Sequence, residues 1–420
     1  IITDASEEEA PWMWEQQDYF DKLLISVPQG DLFDAGCCLE SLTAHYGRNA
    51  LKAKGLTDAD VPLIIRSTGA LLGYLRTTQM QEMTHLSDVR ICSMSSSMSL
   101  DKATIRNLEL TETLFDHKLN GSLLGVLDRC GTAMGSRKMK QWLREPLNDL
   151  QMINDRLDAV DAFCSDIIVR NNTREALKAI YDLERLCGRI SMGTANARDL
   201  LALKTSLSQI PTIRAELSDT QSSLLAQLSS RMDSLQPLCD AIETALIEEA
   251  PFSIREGGLI KPGYSSELDE LKASSSDAQQ WIAGLEVTER ERTGIRNLKV
   301  GYNKVFGYYI EVSKSNAGLV PDNYIRKQTL VNGERYITSE MKEMESIVLN
   351  AQAKINELEY RLFSQLRQMA LEQSSVIQAT SQALAETDVL ASFAESAVKL
   401  GYVKPQMSDG EEIVITRGRH

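Results

Sequence analysis

Apolar residues recur at helical spacing along most of the chain. Ile153, Leu157, Val160, Ile167 and Ile168 form one run; Leu177, Ile180, Leu183, Leu186 and Ile190 form another. The strictest pattern comes late. Met341, Met344, Val348, Ala351, Ile355, Leu358 and Leu362 alternate steps of three and four, giving three heptads of an apolar seam. Extended to about Gln373, the seam predicts a helix roughly 45–50 Å long. A charged helical stretch is predicted from about Glu267 to Arg292. Between the two, from Asn297 to Thr338, the period shortens to that of strands. The pattern thus predicts two long antiparallel arms with facing apolar stripes. A small β unit sits where the chain reverses, held by few contacts. The fold class expected is mainly α with a small β-rich insertion.

Shorter signals fill in the rest. Leu63, Ile64, Leu71, Leu72 and Leu75 lie on a predicted helix that also carries Gly69 and Gly73 on one face. Each glycine costs a helix about 1 kcal/mol against alanine, so close packing against another backbone is expected there. Residues 91–100 form a serine-rich seam, read as a domain boundary. Asn172 followed by Glu175 has the form of a capping box at a helix start. Pro251 to Tyr264, punctuated by Gly257, Gly258, Pro262 and Gly263, leaves room for short strands. Glu412 to Thr416 reads as a strand without a partner. Together with Ile1 in place of an initiating Met, it leads us to expect a piece of a longer protein.

Charge sharpens the picture of the β unit. The chain carries a formal −14 with a pI near 5.0, which argues against wholesale coating of nucleic acid but not against a local basic patch. The β unit is such a patch: Lys299, Lys304, Lys314, Arg326, Lys327 and Arg335 stand against Glu311, Asp322 and Glu334. Lys299, Asn303 and Lys304 flank a predicted hairpin closed near Gly307. Arg326, Lys327 and Gln328 lie on a later strand, with Asn332 just beyond. Cationic and amide side chains of this kind donate to phosphate oxygens without reading bases. Alternation along a strand keeps Arg326 and Lys327 from aiming at one phosphate. Tyr302, Phe306, Tyr308, Tyr309, Tyr324 and Tyr336 offer base-stacking surfaces, but a small unit poor in aliphatics needs them for its own core.

Other constellations carry less. Arg137, Lys138, Lys140 and Arg144 make a basic helix whose apolar side is Met139, Trp142 and Leu143. It is either a solvated face or a contact to nucleic acid or a neighbouring domain. Glu286, Glu289, Arg290, Glu291 and Arg292 read as surface ion pairs. The seven cysteines include no CxxC pair and suggest reduced thiols. The four histidines have no metal-ligand spacing, and no nucleophile–base arrangement stands out. No apolar run reaches the roughly 20 residues that span a bilayer.

Three blocks carry a resemblance to a known family. One is Leu127 to Leu147, LDRCGTAMGSRKMKQWLREPL, followed by Ile153 to Val160. Another is Glu289 to Gly294 leading into Leu298 to Ile310, LKVGYNKVFGYYI. The last is Asn323 to Leu330, NYIRKQTL, with Glu334 to Ile337. Long, ordered and spaced as in the family, they resemble the bacterial MutS-type DNA mismatch repair proteins. Ala70 to Gln79 is more weakly similar to the end of the connector domain. The resemblance implies a layout: residues 1–94, a helical remnant of the α/β connector domain; 95–260 and 339–405, the two parts of the core and lever domain; 261–338, the clamp inserted between the levers; and 406–420, the start of an ATPase domain.

Function follows as an expectation from the same resemblance. The stretch is a DNA-binding scaffold whose clamp grips the duplex backbone through Lys299, Asn303, Lys304, Arg326, Lys327, Gln328 and Asn332. Where many family members have a lysine before the clamp asparagine, this chain has Val331. The resemblance implies that the family's mismatch-reading N-terminal domain, with its Phe-x-Glu wedge, is missing from this stretch, and no GxxxxGK[ST] phosphate loop occurs in the sequence. No cofactor or catalysis is therefore expected of the stretch itself. ATP and Mg2+ are expected for the longer protein, as are a homodimer, a MutL-type partner and a cytoplasmic, nucleoid-associated location. The competing readings are a protein–protein scaffold that meets an acidic partner, and an enzyme in its own right.

Overall fold

The computed structural model describes residues 32–48, 51, 62–79, 86, 97–218, 220–251, 253–303, 307–410 and 412–418. Helices dominate, and one small antiparallel sheet interrupts them. The two arms are α13, Ser266–Thr293, and α14, Ser339–Glu372. Ser265 caps α13, and Gly294 ends it with a left-handed φ of 70°. Thr338 caps α14. The arms run antiparallel: Glu267 meets Arg361, Lys272 meets Glu359, and Ala278 and Ile282 pack with Val348. Five of the seven seam residues, Met341, Val348, Ala351, Ile355 and Leu358, are buried as predicted.

The arms are rooted in a helical body. Its helices are α3 (Lys102–Asn107), α4 (Leu123–Leu127), α5 (Ala133–Arg144), α6 (Leu150–Ser165), α7 (Ile167–Lys178), α8 (Leu183–Ser191), α9 (Ala197–Leu207), α10 (Ile210–Ser218), α11 (Ser223–Ser230), α12 (Gln236–Ala245) and α15 (Ser374–Leu400). α15 is the axis on which α4 to α8 and α11 pack. Its Thr380, Ser381, Ala383, Leu384, Ala385, Thr387, Asp388 and Val389 are all buried, so it is covered on every side. Small side chains let the neighbours approach closely. The body core continues into the arms through Leu268, Ile355, Leu358, Phe363 and Leu366. Arg170, buried, donates to the Phe163 carbonyl and lies 3.4 Å from Glu395. Asp388 accepts from Gly131 N, Thr132 N and Thr132 Oγ1, which fixes the start of α5.

Upstream, α1 (Ala35–Tyr46) and α2 (Pro62–Gln79) form a separate pair with Cys38, Leu42, Leu51, Ile65, Ala70 and Leu72 inside. A Cβ at Gly69 would lie 2.6 Å from the Cys38 Cα, so the expected backbone approach is present there. Gly73 instead makes room for the Leu32 side chain.

Several local expectations fail. Asn172 does not start a helix: α7 begins at Ile167, capped by Asp166, and Asn172 lies mid-helix donating to Glu216. Among the described residues the capping box is Asn196 with Asp199. Because α6 stops at Ser165 and Asp166 restarts the helix, the apolar phase resets, and Ile167 and Ile168 are exposed. Pro251 to Tyr264 holds a single bridge, Leu246 with Ile260, rather than strands. Glu412 to Thr416 forms no strand among the described residues. Its Ile413, Val414 and Ile415 stand exposed, with no described neighbour to complete a ladder.

Candidate nucleic-acid interface

The sheet between the arms has the order β1-β2-β4-β3: β1 Lys299–Asn303, β2 Gly307–Ser313, β3 Ile325–Thr329 and β4 Gly333–Ile337. A 3₁₀ turn, Lys314–Leu319, follows β2. β1 and β3 are the two edges, about 14 Å apart at ordinary strand spacing. The predicted hairpin is present, with Asn303 opposite Gly307. One face packs on the arms: Val300, Tyr308, Ile310, Val312 and Tyr336 gather with Leu285, Leu298, Tyr324 and Met341. The other faces outward with Lys299, Glu311, Arg335 and Gln328, which lie opposite one another in register.

Carboxylates fasten this sheet to both arms. Glu286 accepts from Val300 N (2.9 Å), and Glu345 accepts from Tyr308 N (3.1 Å). Gly307 has a φ of 77°, and any Cβ there would strike the Glu345 carboxylate. Glu289 is buried and accepts from the Tyr324 hydroxyl (2.6 Å) and from Arg292 (2.6 Å). Burial alone would raise the Glu289 pKa, but the hydrogen bonds from Arg292 and Tyr324 hold it below the usual carboxylate range. The same surroundings push the Tyr324 phenol up, first by burial and then by its bond to Glu289. Glu286 and Glu289 pair with Arg290 and Arg292 as expected, and together with Glu345 they also seat the sheet on the arms. The cue was available: a tyrosine buried in a small core needs a partner for its hydroxyl.

The seven candidate donors are not equivalent. Lys299 and Lys327 are exposed, and neither side chain makes a hydrogen bond or ion pair with any other described residue. Asn332 is exposed in the β3–β4 turn beside Val331, and its carbonyl accepts from Lys314 N. Asn303 is half-buried. Gln328 accepts from Arg335 Nη1 (3.0 Å), and Arg326 donates to Glu334 at 3.4 Å. Lys304 lies outside the described residues, as does Phe306.

A register shift explains the split. Arg326 opposes Tyr336 while Gln328 opposes Arg335, so Lys327 is the extra residue of a β-bulge. In an unbroken strand Arg326 and Gln328 would share a face; here they do not. Sequence alternation alone did not reveal this.

The aromatics divide much as expected. Tyr324 and Tyr336 are buried, 5.8 Å apart. Tyr309 lies under Arg335, whose guanidinium also reaches Glu311. Tyr302 is the exception, half-exposed and tilted against Tyr308 at 4.9 Å. On α5, Arg137 is not free for a ligand: its fork meets Asp182 and Glu184. Trp142 lies 3.4 Å beneath Arg156, whose own pKa burial lowers to about 10.

Among the described residues no group of acids, histidines and cysteines is arranged to hold a metal ion. The described cysteines are free thiols, and no described helix is long and apolar enough to cross a membrane.

Fold and site define a helical body with two antiparallel arms that present a basic-edged sheet. Residues 103–394, which take in both arms and the sheet, match MutS domain III. The DNA mismatch repair protein MutS of Alkaliphilus oremlandii is 48% identical over 401 residues, 95% of this chain and 45% of that protein. Those of Ruminiclostridium cellulolyticum and Halothermothrix orenii are each 45% identical, over 94% and 90% of this chain and 45% and 42% of their own length. The chain belongs to the MutS family, and it spans less than half the length of these curated relatives.

Proposed function

We propose that the sheet is a clamp that grips duplex DNA by its phosphate backbone, without reading sequence. Its donors are Lys299, Asn303, Lys304, Arg326, Lys327, Gln328 and Asn332. The observation that carries this reading is the pair Lys299 and Lys327: two exposed lysines, neither in an ion pair with any described residue, on opposite edges of one sheet, in a chain of net charge −14. Such cations attract phosphate and release its condensed counterions. The relatives are named as DNA mismatch repair proteins, which supports a grip used in mismatch repair.

In the longer protein, the clamp is residues 261–338, inserted into a lever and core domain of residues 95–260 and 339–405. Residues 1–94 belong to a connector and 406–420 lead into an ATPase. That protein uses ATP and Mg2+, pairs as a homodimer and works with a MutL-type partner. The arms carry shifts between the ATPase end and the clamp, as rigid elements with two positions do.

The test replaces Lys299 and Lys327 together by alanine. Affinity for matched and mismatched duplexes falls by the same factor, because phosphate contacts position but do not specify. Loss confined to mismatched duplexes contradicts the reading. Undiminished binding favours an acidic protein as the partner of this surface.

A further inference from the structure

Arg326 differs from Lys299 and Lys327 in having an internal anion. Its Nη1 lies 3.4 Å from Glu334 Oε1. Glu334 is on the neighbouring strand, two residues before Tyr336, and so on the same face as Arg326. The second carboxylate oxygen accepts from the Tyr336 hydroxyl. Tyr336 is itself fixed, buried against Tyr324, whose hydroxyl is held by Glu289. The two partners are unequal in freedom: the Glu334 side chain is 16% exposed and the Arg326 side chain 63%. The anion is part of the sheet, whereas the cation can swing away.

Glu334 keeps its negative charge at neutral pH. The Tyr336 hydroxyl and the Arg326 guanidinium hold its carboxyl below the usual range, and the Tyr336 phenol is pushed up to about 12 by burial and by Glu334. Lys314 is the further cation that bears on it. The free carboxylate oxygen, Oε1, offers the guanidinium an anionic acceptor of the kind a phosphate oxygen offers.

We infer that Glu334 is an internal stand-in for phosphate, holding Arg326 while no duplex is bound and competing with the backbone for it. This rests on the clamp reading above and adds a residue that sets its strength. Arg326 then contributes less to DNA affinity than its exposure indicates. Duplex binding moves it from one anion to another, and the carboxylate left behind repels the incoming phosphate.

A double-mutant cycle with the whole chain tests this, using a matched duplex of about 20 base pairs across a salt series. Glu334→Gln keeps the shape and still accepts from Tyr336, so the sheet remains folded. E334Q should bind roughly two- to fivefold tighter, the range of a surface ion pair. Its log–log salt slope should differ from that of the unaltered chain by less than the roughly 0.9 of one phosphate contact, because Arg326 reaches phosphate in both. In an R326A background the same change should give less than half that gain, because the cation it frees is gone. Equal gains in both backgrounds would reduce Glu334 to a general repulsive charge and overturn the inference. So would an unchanged affinity in E334Q when the unaltered chain binds. If the unaltered chain retains no duplex even at low salt, the clamp reading falls and this inference falls with it.

Discussion

The body and the sheet use their charges differently. In the body, cations and anions close on one another. Arg137 is taken by Asp182 and Glu184, and buried Arg170 lies beside Glu395. Beneath the sheet, three acids of the arms turn towards it, while the sheet's own Glu311 and Glu334 pair with Arg335 and Arg326. Glu286, Glu289 and Glu345 accept from backbone amides and from Tyr324, at the seat rather than at the outer surface. They are thereby kept from neutralising Lys299 and Lys327. An acidic protein can therefore present a cationic tip without a high overall pI: what matters is where the carboxylates of that tip point.

Three perturbations test this contrast, from the largest effect to the smallest. Phe363 is fully buried in the core shared by body and arm. Phe363→Ala should destabilise the chain by about 3–5 kcal/mol, read from denaturant unfolding. A loss under about 1 kcal/mol would mean that the arm is not rooted as described.

Glu289→Ala removes the partner of a buried hydroxyl and of Arg292, a loss of about 1–3 kcal/mol. It should be local: hydrogen exchange quickens in β2 and β4 and is unchanged in α15. Equal quickening in both would join the two regions into one unit.

The third perturbation is acid. Glu289 has a folded pKa below its ordinary value of 4.5. Its stabilisation is thus complete above that value and is lost as pH falls through the lower folded one. Near-ultraviolet signals from Tyr324 and Tyr336 should fade as pH falls below about 4.5, and less so in a Glu289→Gln protein. The same fading in both would assign the acid response to other groups.

The arms were legible because an alternation sustained from Met341 to Leu362 has one reading, and the sheet because its period changes beside Gly307. The run Leu177 to Ile190 is likewise buried throughout. What escaped was whatever depends on a neighbour. Asn172 and Glu175 have the letters of a cap, but Asp166 had already begun the helix. Glu289 and Arg292 have the spacing of a surface pair, but Tyr324 folds over them. The bulge at Lys327 leaves no mark in the alternation, yet it decides which donors share a face. Four of the seven candidate donors are polar and exposed, as residue type indicated: Lys299, Arg326, Lys327 and Asn332. Which of them are already engaged was settled by Glu334 and Arg335, residues whose role appears only once the strands pair.

The most direct test is the salt dependence of duplex binding by the unaltered chain. Four to six phosphate contacts predict a log–log slope of roughly −3.6 to −5.4, the same for matched and mismatched duplexes. A slope near zero, or no binding at low ionic strength, would contradict a grip on the backbone.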